Sequence, residues 1–285
     1  MTTLACKPAD FRQACDDARA ESCCVGLVPT MGALHEGHFS LIDEAKKRAG
    51  FVAVTIFVNP LQFAPDEDLG RYPRALQTDL ASCRERSVDL VFAPEPESMY
   101  PSEFQTQVSV GDLTKPLEGA FRPAHFDGVT TIVAKLFNLA GPSAAMFGRK
   151  DYQQWKVLAR MVQDLDMPIE VIGCPIVRES DGLALSSRNR YLSASERTRA
   201  LGIVSGLREA HDAWDAGERS PETLRALTEG HVSANFERVD YVAAVDPDTF
   251  ATRSEPGTRL LIAVAAHLGT TRLIDNVVLG EDPRP

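Results

Sequence analysis

The chain has no run of ~18 consecutive apolar residues, so no membrane-spanning helix is expected and a membrane is not an expected partner. It has no basic excess. Forty Asp and Glu against 30 Lys and Arg leave a formal net charge of −10. A nucleic-acid footprint is usually basic, so nucleic acid is not an expected partner either. The six cysteines, Cys6, Cys15, Cys23, Cys24, Cys83 and Cys174, contain no C-x-x-C pair. Their dispersal predicts reduced thiols in a cytoplasmic protein. The opening "MTTLACKPADFRQACDDARA" carries acids and no long apolar core. It predicts a strand or loop followed by a helix, not a signal peptide. Repeats and low-complexity tracts are absent. So is the Walker A pattern: Gly141 and Gly148 stand too far apart, and no Lys-Ser or Lys-Thr follows Gly148.

What is present is length and apolar content. A chain of 285 residues that is 44% hydrophobic can bury a sizeable core, divided between two domains. Apolar runs at 23–29, 51–59, 88–94, 144–148 and 169–177 alternate with segments of helical spacing at 38–49, 72–86, 125–140 and 152–165. Near-continuous apolar strands separated by helices predict an α/β, Rossmann-like parallel sheet with helices on both faces. Cys23 and Cys24 are expected on the first of these strands, pointing to opposite faces. In such a sheet, ligands sit beyond the carboxyl ends of the strands, near a switch in strand order. The texture changes from about residue 178. Helices with Ser caps are expected at 193–214 and 220–234, followed by strands at 239–246 and within 259–279. This predicts a smaller α+β C-terminal domain, with residues 1–176 in the first domain and 177–285 in the second.

Four stretches stand at or near strand ends. In "PTMGALHEGHFSL" (29–41), Pro29 is expected to stop the strand, because proline donates no ladder hydrogen bond. His35 and His38 then fall near the start of a helix, where unpartnered N–H groups and the dipole favour anions. Gly32 and Gly37 let backbone approach a ligand. Phosphate binding competes here with structural hydrogen bonding by the histidines and with a loop of no role. A zinc pair fits worse, since "HEGH" lacks the His-Glu-x-x-His spacing. In "IFVNPLQF", Asn59 and Gln62 are either specific hydrogen-bonders to a small polar ligand or ordinary loop polarity. In "MFGRKDYQQW", Arg149 and Lys150 bring positive charge, Asp151 can cap the next helix or bind hydroxyls, and Gln154 shares its face. In "VRESDGLALSSRNRYL", two serines and Arg188 suit phosphate oxygens, or else form a polar interdomain loop.

These stretches, in this order, with "RPAHFDGV" between them and "TRLIDN" near the end, resemble the pantothenate synthetase (pantoate–β-alanine ligase) family of the nucleotidylyl transferase superfamily. The "HxGH" element alone is shared with class I aminoacyl-tRNA synthetases and fits another nucleotidylyltransferase. The resemblance implies an ATP-dependent, AMP-forming ligase that makes pantothenate from pantoate and β-alanine through pantoyl adenylate, with Mg²⁺ on the phosphates. It implies ATP binding by Met31, Gly32, Ala33, Leu34, His35, Glu36, Gly37 and His38, by Gly148, Arg149, Lys150 and Asp151, and by Val177, Leu185, Ser186, Ser187 and Arg188. His38, His35, Lys150 and Arg188 would act on the reacting groups, with His38 at the proton-donor position. Gln62 and Gln154 would bind pantoate, with Gln62 also beside β-alanine. No protein-held metal is implied. The resemblance further implies a homodimer whose second domain closes over the ATP site. Two positions depart from the family pattern: Arg149 replaces Glu or Gln, and Leu185 replaces Met at similar volume.

Overall fold

The computed structural model describes residues 1–65, 67–252 and 257–285. The chain divides into two compact units, Met1–Arg149 with Gln153–Pro175, and Lys150–Tyr152 with Ile176–Pro285.

The first unit runs β1 (Thr3–Ala5), α1 (Pro8–Ala20), β2 (Val25–Thr30), α2 (Glu36–Arg48), β3 (Phe51–Ile56), α3 (Leu76–Glu85) and β4 (Leu90–Phe92). Short helices α4 (Pro96–Met99) and α5 (Glu118–Phe121) precede α6 (His125–Ala140), β5 (Ser143–Gly148), α7 (Tyr152–Asp164) and β6 (Ile169–Cys174). The six strands are parallel in the order β1-β4-β3-β2-β5-β6. Neighbouring residues along each strand enter opposite cores. Leu27, Ala53, Leu90, Phe92, Ala145 and Phe147 pack with Phe11 of α1 and Val133 and Phe137 of α6. Val28, Val54, Val91 and Met146 pack with Leu41 and Ile42 of α2 and Leu80 of α3. Burial on both faces is why the strands read as unbroken apolar runs rather than alternating ones. Phe11 is wholly buried and stacks on Phe92 at 4.5 Å between centroids. Burying a side chain of that size is worth ~1.5–3 kcal/mol.

The strand order sets where chemistry can occur. From β2 the chain moves to β3 and then β4 on one side, and later returns to place β5 on the other side of β2. The carboxyl ends of β2 and β5 therefore flank the switch point, where connections leave in opposite directions and a crevice opens.

Two local expectations are corrected. Cys23 and Cys24 precede β2 rather than lying on it, because the Cys23 N–H turns back to the Ala18 carbonyl at 3.0 Å to close α1. Pro29 does not end its strand: pairing with β3 continues to Thr30↔Ile56, while the ladder to β5 stops at Leu27↔Ala145. Proline's missing donor is tolerated where the strand keeps only one neighbour.

The second unit holds α8 (Ala194–Arg199), α9 (Leu201–Asp215), α10 (Pro221–Asn235), β7 (Arg238–Val245), β8 (Leu260–Leu268) and β9 (Thr271–Leu279). Its sheet is antiparallel, β7-β8-β9, and Leu207, Trp214, Leu224, Ile262 and Val264 share its core. The helix expected at 193–214 is two helices dividing at Ala200. The 259–279 segment is a hairpin that turns at Gly269, whose φ of +54° suits glycine. Among the described residues, no helix is long and apolar enough to cross a membrane. All six cysteines are free thiols.

Candidate active site

The turn leaving β2 is fixed one amide at a time. Thr30 Oγ1 donates to the Thr55 carbonyl at 2.6 Å and accepts the Gly32 N–H at 3.1 Å. Gly32 and Ala33 both take positive φ, +83° and +51°. The left-handed conformation costs a non-glycine residue ~1–2 kcal/mol, so Ala33 must be held there. Asp79, in the first turn of α3, does this: its carboxylate accepts the Ala33 N–H at 2.9 Å and the Leu34 N–H at 2.8 Å.

His35 then caps α2. Its Nδ1 accepts the Gly37 N–H at 3.1 Å, and His38 Nδ1 accepts the His35 N–H at 3.3 Å. The ring centroids lie 4.1 Å apart. A nitrogen that accepts from an N–H carries no proton itself, so in the neutral rings the proton sits on Nε2. The pair is built as two Nε2–H donors. This modifies the helix-terminus expectation. The N–H groups of Gly37 and His38 are committed to the His35 ring and carbonyl, so these two amides are bound within the turn itself.

Gln62 follows β3 in a 3₁₀ turn, Pro60–Gln62, capped by Asn59. Asn59 is 1% exposed, and its Nδ2 donates to Gln62 Oε1 and to the Gly128 carbonyl, each at 3.1 Å. Its Oδ1 accepts the Tyr100 hydroxyl at 2.8 Å. Gln62 Nε2 approaches Met31 Sδ at 3.1 Å, which joins the first proposed substrate glutamine to the first residue of the histidine turn. The Gln62 carbonyl is gripped by His125 Nδ1 at 2.9 Å and Arg122 Nη2 at 3.3 Å. Arg122 is in turn clasped by both Glu67 oxygens at 2.7 Å. Burial first, then the Arg122 charge, push the His125 pKa down to about 4. Burial works to raise the Glu67 carboxyl, but its hydrogen bonds with Arg122 and that cation's charge outweigh it and hold the pKa below its ordinary value. Gly128 lets this turn approach α6. A Cβ there would stand 2.3 Å from the Leu61 carbonyl oxygen and 2.7 Å from the Gln62 nitrogen.

At the end of β5, Gly148 leads into the turn Arg149–Asp151. The Arg149 guanidinium lies over the Trp155 ring, 5.5 Å from its centroid. Gln154 is half-buried on the first turn of α7, while its neighbour Gln153 is structural. The Gln153 side chain accepts the Glu118 N–H at 3.0 Å and donates to the Leu113 and Pro116 carbonyls at 2.8 Å.

In the second unit, Lys150 has its carbonyl held by Asn276 Nδ2 at 2.9 Å, and its ammonium lies 4.0 Å from Asp151. Asn276 and Asp275 belong to the "TRLIDN" stretch, and Arg178 binds the Asp275 carboxylate at 2.6 and 2.9 Å. Val177 and Leu185 are brought together, since the Leu185 N–H donates to the Val177 carbonyl at 3.0 Å across a loop that turns at Gly182 (φ +102°). Ser186 Oγ accepts the Arg188 N–H at 3.3 Å, and Ser187 is buried. Sequence reasoning missed Asp79, Arg122, His125, Gly128 and Asn276. Two signals were available: "RPAHFDGV" and "TRLIDN" carry unusual polar residues beside glycine or an apolar run.

A six-stranded parallel sheet covered by helices on both faces, with polar side chains gathered where the strand order switches, defines an α/β enzyme. The pantoate–β-alanine ligase family matches residues 3–278, and the chain belongs to that family. The pantothenate synthetase of Thermoanaerobacter sp. strain X514 is 51% identical over 277 residues, covering 97% of this chain and 98% of that one. Pantothenate synthetase 1 of Bradyrhizobium diazoefficiens is 48% identical over 278 residues, at 97% and 98% coverage. A pantothenate synthetase from Thermus thermophilus superposes with a TM-score of 0.91 at 45% identity, covering 96% and 98% of the two chains. A Francisella tularensis pantoate–β-alanine ligase, complexed with β-γ ATP and β-alanine, superposes at a TM-score of 0.82 and 31% identity, with 100% of both chains covered. The activity is the family's, ligation of pantoate to β-alanine.

Proposed function

We propose that the ligation proceeds in two steps on ATP, with the histidine turn and the Gln62 network as its centre. The pantoate carboxylate attacks the α-phosphorus of ATP, and pyrophosphate leaves. The β-alanine amine then attacks the acyl carbon of pantoyl adenylate, AMP leaves with the bonding pair, and the amine proton passes to solvent. No protein nucleophile is needed. The observation that carries this reading is the reciprocal His35–His38 cap at the switch point. Two Nε2–H donors aimed at phosphate stabilise charge that grows as the P–O bond breaks. The ATP and β-alanine of the Francisella complex support the same substrate pair here.

ATP is assigned to Met31–His38, Gly148–Asp151, Val177 and Leu185–Arg188. Lys150 and Arg188 supply the positive charge that lets a carboxylate approach a triphosphate. Pantoate is assigned to Gln62 and Gln154, whose amides can bond its hydroxyls and carboxylate. Mg²⁺ would accompany the nucleotide and neutralise part of its phosphate charge, with Lys150 and Arg188 supplying the protein's share. A cytoplasmic homodimer belongs to the same reading, and sedimentation of the full chain tests the dimer.

The deciding experiment is exchange of labelled pyrophosphate into ATP. Exchange is expected with pantoate alone and not with β-alanine alone. A requirement for β-alanine would replace the two-step order with a concerted one.

A further inference from the structure

The turn before α2 contains an anion site that the protein fills itself. Consecutive residues of positive φ, Gly32 and Ala33, turn successive N–H groups into one concavity, the arrangement that elsewhere binds phosphate or carboxylate. Here both oxygens of Asp79 occupy it, Oδ2 on Ala33 and Oδ1 on Leu34, with the residue 2% exposed. The fit is close. A Cβ on Gly32 would stand 3.0 Å from Asp79 Oδ2 and 3.0 Å from Ile56 Cγ2, so a side chain there would press on the carboxylate, at a φ of +83° that already favours glycine. The following amide, of His35, is held by His38, and that of Gly37 by His35. From residue 32 to residue 35 every amide is therefore bound by a side chain, and the one link supplied from another helix is Asp79.

We propose that Asp79 is a positioning residue for the histidine pair: its carboxylate fills the concavity at Ala33–Leu34 and thereby fixes the turn that delivers His35 and His38. The proposal rests on the reading that these histidines act on ATP. Asp79 does not touch the reacting atoms. It also reserves the Ala33 and Leu34 amides, so that nucleotide phosphate meets imidazole rather than this backbone. A carboxylate is required, because both of its oxygens accept while an amide would set one NH₂ against an N–H. Charge-assisted bonds of this kind are shorter and stronger than neutral ones.

The test uses full-length Asp79→Asn and Asp79→Ala proteins. The ¹⁵N imidazole resonances of His35 and His38 are followed without ligand, and pyrophosphate exchange is followed at saturating ATP over a range of pantoate concentrations up to saturation. In Asp79→Asn, a cooperative melt is expected with shifted imidazole resonances. A fall in kcat of roughly 10²-fold is expected, the scale of an ångström-sized misplacement, with the pantoate KM little changed. In Asp79→Ala, formate is expected to enter the vacated concavity and restore part of the rate, while chloride at equal ionic strength does not. If Asp79→Ala does not fold, Asp79→Asn decides alone. Unmoved imidazole resonances in folded Asp79→Asn overturn the proposal, whatever the rate does. Shifted resonances with full activity uphold the positioning role and instead remove the histidine pair from the ATP reading.

Discussion

His125 Nδ1 donates to the main-chain carbonyl of Gln62 at 2.9 Å, while its Nε2 faces the Arg122 guanidinium at 3.1 Å. One ring nitrogen gives a proton and the other receives a hydrogen bond, so this histidine is neutral by construction. Its pKa of about 4 expresses the same fact: burial and the neighbouring cation both oppose a second proton.

A pH dependence of stability follows. The unfolded chain takes up this proton near the ordinary histidine value of 6.5, the folded chain only near 4. His125 therefore contributes stability that is present above pH 6.5 and is lost as pH falls toward 4. Relative to His125→Asn, which has no such proton to refuse, the wild-type protein should lose up to roughly 3 kcal/mol over that window. Urea unfolding of both proteins across the interval checks it. Parallel pH curves would show that the ring is protonated in the fold.

Gly128→Ala should displace the Gln62 turn, because the new methyl group meets the backbone of Leu61 and Gln62. Overpacking of this kind costs ~1–3 kcal/mol. We expect a melt lowered by a few degrees and a pantoate kcat/KM reduced roughly tenfold or more, with ATP affinity measured alone unchanged. Calorimetric titration with ATP and steady-state kinetics with pantoate separate the two effects.

His38→Ala should remain folded and slow adenylation by roughly 10²-fold or more, the scale of losing a donor that the proposed mechanism sets against phosphate. It also removes the acceptor of the His35 amide, so the His35 resonances should shift in the variant. In the wild-type protein, ¹⁵N chemical shifts should place the proton of both neutral rings on Nε2. Near-normal single-turnover adenylation in folded His38→Ala would remove the ring from the chemistry.

Gln154→Ala should raise the pantoate KM or lower kcat/KM by about tenfold to a hundredfold, the worth of one hydrogen bond of ~1–3 kcal/mol in a closed polar site. Its neighbour offers a contrast. Gln153→Ala breaks three structural hydrogen bonds and should lower the melting temperature instead. If both variants lost pantoate affinity equally, the division of labour between the two glutamines would be wrong.

The sheet is legible in the sequence because its strands are buried on both faces and separated by helices of clear period. The helix at 125–140 has the ends its pattern predicts, since its apolar stripe runs uninterrupted to the glycine that follows. Cations, imidazoles and amides at strand ends can be read from residue type and order. Their supports cannot. Asp79 binds an amide 46 residues back, His125 a carbonyl 63 residues back, and Asn276 a carbonyl 126 residues back. No local periodicity encodes such partners. Pro29 misleads for the opposite reason, because a local rule about donors applies only on the side where a strand still has a neighbour.

The pairing of β1 with β4 also governs how quickly the ligase can assemble. Thr3 is registered against Leu90, and Val25 against Ser143, so the first unit's sheet closes only after long stretches of chain have been brought together. Each closure loses chain entropy before any contact compensates it, and folds dominated by such distant pairings form in milliseconds to seconds. The β8–β9 hairpin of the second unit, registered from Leu268↔Thr271 outward, can zip from its turn within ~1–10 μs. On dilution from denaturant, recovery of activity should therefore follow the slow formation of the parallel sheet, long after the antiparallel hairpin has formed.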